Sequence, residues 1–141
     1  MSGLEIEKQV CTQPQAEELA GLLEDDAPES LWVWSKIDAN GKWGVVLAAH
    51  YVTNPIMHWS SDCYPAYTGD ELGALLPVVT PEGWLTHGKD YGILPFHSCY
   101  YDPGYYERRF GGVTEAQARA ALAIKGLQEG WIKKEEFSYE Q

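Results

Sequence analysis

Among the histidines and cysteines, His58, Cys63, His97 and Cys99 are the candidates for binding metal or attacking as nucleophiles. Two imidazoles and two thiolates can hold Zn2+ tetrahedrally when the chain brings them together. The spacing argues against it, because His58 and Cys63 are five residues apart and no CxxC knuckle occurs. Cys63 also has the partners of a nucleophile, with His58 or His97 as base and Asp62 or Asp102 behind it. No GxSxG elbow and no phosphate-cradling GxGxxG or GxxxxGKS/T loop is present. These patterns predict no catalytic residue, no metal site and no cofactor. Buried thiols are the plainer reading of the cysteines.

Two other groups suit binding better than reaction. In the stretch from Cys99 to Phe110, Tyr100, Tyr101, Tyr105 and Tyr106 flank a turn at Asp102-Pro103-Gly104, and Arg108 and Arg109 follow. Neighbouring strand residues point to opposite faces, so one tyrosine of each pair can enter the core while the other faces outward. Tyr and Arg are enriched where partners dock. Cross-strand tyrosine pairs holding an ordinary hairpin are the competing explanation. The second group is acidic. Residues 1–30 carry eight acids against Lys8 alone, most of a net charge of −11. Glu17, Glu18, Glu24, Asp25 and Asp26 form its centre, a surface that can compete with nucleic acid for a basic groove or simply keep the chain in solution.

The elements that must position these groups are readable from caps and periodicity. Thr12 and Gln15 form a capping box, and Ala16, Leu19, Ala20 and Leu23 fall on one helical face before Asp25-Asp26-Ala27-Pro28 ends the element. Leu31–Trp34 and Trp43–Ala49 read as a hairpin around Asp38-Ala39-Asn40-Gly41, and His50–Trp59 as a candidate third strand. Thr68 and Glu71 cap a short helix with Leu72, Leu75 and Leu76 inside and Pro77 as its stop. Short strands follow at Trp84–Thr86, Tyr91–Leu94, Phe96–Tyr101 and Tyr105–Phe110, with Gly88 and Gly111-Gly112 as breaks. Thr114 and Gln117 open a last helix whose stripe is Ala120, Ile124, Leu127 and Trp131, with Gly130 as C-cap. Residues 133–141 read as a frayed tail. The order predicts an α+β domain, an antiparallel sheet with helices mainly on one face.

Composition sets the outer bounds. A chain of 141 residues and 45% hydrophobic content is one domain with a core of its own. Three cysteines without paired spacing, no signal-peptide pattern and no apolar run near ~20 residues predict a cytoplasmic, non-membrane protein. The acidic balance argues against direct binding of duplex nucleic acid. All the Trp and Tyr lie after residue 30, so the chain reads as a near-neutral aromatic body with an acidic segment at one end.

Two stretches carry a resemblance. YPAYTGDELGALLP over 64–77 and TEAQARAALAIKGLQEG over 114–130 resemble segments of small uncharacterised proteins of tailed phages and prophages. The match spans roughly a quarter of the chain. It implies a phage origin and a compact α+β fold, and it carries over no catalytic residue. The function expected on this ground is a non-catalytic accessory protein that binds and inhibits a host protein. A nucleic-acid-handling defence system is the expected target, in the manner of an anti-CRISPR or anti-restriction inhibitor. The alternative is a small-ligand or nucleotide-binding domain with an aromatic pocket. A small enzyme using Cys63 or a histidine base and a self-associating virion protein, hence a homo-oligomer, are further readings.

Overall fold

The computed structural model describes residues 6–24, 27–36, 42–47, 63–81, 83–91, 95–102, 110–112 and 114–139. Through them run three α-helices, seven strands and a short 3-10 helix at Lys134–Glu136. Helix α1 is Gln13–Leu23, α2 is Gly69–Leu75 and α3 is Glu115–Glu129. Strands β1 (Trp32–Lys36), β2 (Trp43–Leu47) and β3 (Cys63–Pro65) form one sheet in the order β2-β1-β3. Strands β4 (Val79–Thr80), β5 (Gly83–Tyr91), β6 (Pro95–Asp102) and β7 (Phe110–Gly112) form a second in sequence order. All named pairings are antiparallel. The α+β class is therefore as expected, with the strands divided between two sheets.

Each helix begins where a threonine can accept a backbone N–H that the helix itself leaves unpaired. Thr12 and Thr68 form complete capping boxes with Gln15 and Glu71, and Thr114 accepts from the Gln117 N–H. Glu71 does more than cap. Its carboxylate also accepts from the Leu31 N–H at 3.0 Å and lies 2.8 Å from the Ser30 hydroxyl, so α2 and the entry to β1 are held by one side chain. Glycine ends α3: Gly130 takes the left-handed conformation at φ 84°.

Helix α3 lies at the centre. It packs against β6 and β7 and against both α1 and α2. That is why its buried set (Ala116, Ala118, Ala120, Leu122, Ala123, Ile124 and Gly126) runs beyond a single stripe, and why most of it is small. Leu127 and Trp131 of the predicted stripe are half-buried. Arg119 ties α3 to α2 by donating to the Gly69 carbonyl at 2.6 Å and pairing with Glu115.

Three expectations are corrected. Gly88 does not break a strand: β5 runs through it, because the pairing of Gly88 with Ser98 belongs to a ladder of eight cross-strand partners. Gly111 and Gly112 lie in β7, paired with Ser98 and His97. The tail from residue 133 is docked through residue 139. Phe137 is buried with its ring edge-on to Tyr67, and the Tyr139 hydroxyl donates to the Glu29 carbonyl at 2.7 Å. The turn at 38–41, the strand proposed for 50–59 and the hairpin tip at 103–109 lie outside the described residues.

Candidate functional site

The register of β5 and β6 sorts their side chains onto two faces. Leu85, His87, Cys99 and Tyr101 share the face toward α3, while Trp84, Thr86 and Tyr100 share the opposite face. Cys99 and Tyr101 are buried, and the Tyr101 hydroxyl donates to the Pro77 carbonyl at 2.8 Å. Tyr101 is thus a core residue and leaves the predicted binding surface. Burial pushes its hydroxyl pKa up. Tyr100 is half-buried on the outer face. Tyr105, Tyr106, Arg108 and Arg109 fall outside the described residues.

The outer face holds what the sequence reading missed. Trp84 is 63% exposed, and its cross-strand partner Val79 is 48% exposed beside an exposed Val78. Tyr100 lies on the diagonal from Trp84. Alternation along Trp84-Leu85-Thr86-His87 was the available signal: if Leu85 turns inward, Trp84 must turn outward. An indole left in water on a sheet face is an unused hydrophobic and hydrogen-bonding surface of the type enriched at interfaces.

Helix α1 presents Glu17 and Glu18 to solvent and its C-cap Glu24 is exposed, while Ala16, Leu19 and Leu23 face the core. Part of this charge is engaged at home. Gln128 of α3 donates to Glu18 at 2.6 Å, and Lys134 stands 3.7 Å from Glu24. Asp25 and Asp26 are outside the described residues. Helix α1 and the strands β6 and β7 each pack against α3.

Cys63 is buried in the three-stranded sheet, His97 and Cys99 lie in the other, and His58 is outside the described residues. Among the described residues no three His, Cys, Asp or Glu side chains gather as metal ligands. Burial raises the pKa of the Cys11 and Cys99 thiols to about 12, which keeps both protonated and poor nucleophiles at neutral pH. The neighbour of His97 is instead His87, with Nε2 of His87 3.1 Å from Nδ1 of His97.

A cleft of about 430 Å3 opens at the N-termini of α2 and α3. Lys8, His97, Asp70 and Glu115 line it together with both cap threonines, Thr68 and Thr114. Those hydroxyls already accept from their own helices. Among the described residues no tyrosine or tryptophan lines the cleft. No known family, curated protein or solved structure matches the chain. No helix among the described residues is long and apolar enough to cross a membrane.

Proposed function

We propose that this chain is a non-catalytic accessory protein that binds a host protein through the outer face of the four-stranded sheet. The observation that carries this reading is Trp84, 63% exposed beside Val79 and diagonal to Tyr100. Desolvating one such indole against a partner pocket supplies binding energy of the kind that interface hot spots carry. In its finer form, the protein is a phage or prophage inhibitor of a nucleic-acid-handling defence enzyme. The resemblance of 64–77 and 114–130 to phage proteins motivates that form. So does the acidic face of α1, which can oppose a Lys- and Arg-lined groove.

The two surfaces make separable contributions. The Trp84 face supplies contact that salt barely alters, and the acidic helix supplies attraction that salt screens. The test is capture of a bacterial partner by the tagged full chain at low and moderate salt. The expected result is one stoichiometric protein, retained by the wild type at both salts and lost with Trp84→Ser. Its activity on nucleic acid should fall when the chain is added back. Absence of any stoichiometric partner, or undiminished capture by Trp84→Ser, overturns the reading.

A further inference from the structure

The hairpin of β5 and β6 places two histidines where neither helix periodicity nor sequence spacing would. His87 stands opposite Cys99 and His97 opposite Lys89, so the two imidazoles are diagonal neighbours on one face. Their nitrogens approach to 3.1 Å, and the ring centroids lie 5.2 Å apart with planes tilted by 47°. His87 is exposed, whereas His97 is half-buried and forms part of the cleft wall.

We propose that His87 and His97 form a two-imidazole chelate for a divalent transition metal of the imidazole-preferring class, Zn2+ or Cu2+. Two nitrogens about 2.05 Å from such a metal and 3.1 Å apart subtend roughly 98° at it, between the tetrahedral and square-planar angles. The donor atoms are thus already at chelating separation. In the metal-free pair one nitrogen donates to the other. On metal binding, the bridging proton moves to the second nitrogen of the donor ring, so both imidazoles stay neutral and each presents a lone pair. The long ladder of β5 and β6 fixes the two backbones meanwhile.

The surroundings set the strength and the preference. Asp70 and Glu115 share the cleft wall with His97 and lower the cost of bringing a cation there, while Lys8 on the same wall opposes it. Two protein ligands leave the remaining positions to water, so this is an open site and not a closed structural one. Imidazole ligation favours Zn2+ and Cu2+ over Mg2+, which prefers oxygen ligands. The site is independent of the Trp84 face, because its residues occupy the opposite face of the sheet.

Calorimetric titration of the full reduced chain with ZnCl2, CuCl2 and MgCl2 tests the proposal. The expected result is one equivalent of Zn2+ or Cu2+ bound, with no uptake of Mg2+. His87→Asn and His97→Asn, each confirmed folded by circular dichroism, should each weaken binding by roughly tenfold or more, since even outer-shell changes cost about 10–100-fold. A double variant at the remaining histidines, His50→Asn with His58→Asn, should bind as the wild type does. No uptake of either transition metal by the wild type overturns the proposal. So does binding unchanged in both single variants, or a loss seen only in the His50/His58 variant.

Discussion

Burial decides what the cysteines can do. Cys11 and Cys99 are wholly buried and Cys63 nearly so, which turns three apparent nucleophiles into small core side chains. A thiol reagent at pH 8 should leave all three unmodified in the native protein and modify all three in urea. Fast labelling of any one in the native state would contradict the packing described. The same burial gives stability a pH dependence with a definite sign. The folded state holds the Cys11 and Cys99 protons up to about 12, against 9.0 for a free thiol. Tyr139 moves in the same direction, to about 12 from 10.0, chiefly through burial. Stability is therefore intact below about pH 9 and falls as pH rises toward 12, because the unfolded chain loses these protons first. Each pH unit inside that window removes up to about 1.4 kcal/mol per buried thiol. Urea melts from pH 8 to pH 11 should show a steady fall in midpoint, and a flat profile would contradict it.

At the level of elements, two helical glycines make opposite predictions. Gly21 in α1 has open space where a Cβ would sit, so Gly21→Ala should stabilise by about 0.5–1 kcal/mol through helix propensity alone. Gly126 in α3 is covered by Ile132, whose Cδ1 lies 2.5 Å from the place of a Cβ. Gly126→Ala should destabilise, because overpacking costs about 1–3 kcal/mol and exceeds the propensity gain. Thermal melts of the two variants should move in opposite directions. The contrast also shows what a sequence reveals. Helix starts were legible because Thr12, Thr68 and Thr114 each meet a partner three residues on, a local signal. The docking of Ile132 and Phe137 was not legible, because a core contact made by a charged C-terminal segment depends on where α3 delivers it. The His87–His97 pair depends on strand register, which is fixed by pairing across ten or more residues and not by either segment alone. Gly88 misled for the same reason, since the ladder overrides a local break.

On the scale of the whole molecule, the acidic segment is part of the body and not an appendage. Ile6, Val10, Cys11, Ala16, Leu19 and Leu23 are all in the main core, Trp34 donates its indole N–H to the Cys11 carbonyl, and Tyr67 donates to the Pro28 carbonyl. Each large apolar side chain among them contributes about 1.5–3 kcal/mol of burial, and their sum rivals the ~5–15 kcal/mol stability of a domain. Deletion of residues 1–30 should therefore abolish cooperative unfolding, and a sharp melt from the truncated chain would contradict this. The electrostatic role of α1 must be tested by substitution instead. Glu17→Gln with Glu18→Gln should leave the melt nearly unchanged and reduce the salt dependence of partner binding. The central claim is that the outer sheet face around Trp84 is the contact surface. Its most direct test is the dissociation constant of the captured partner for the wild type and for Trp84→Ser, both confirmed folded. A central tryptophan contributes at least about 2 kcal/mol, so the constant should rise roughly 30-fold or more. A constant that stays within about twofold of wild type would contradict the account, since that difference is under about 0.5 kcal/mol.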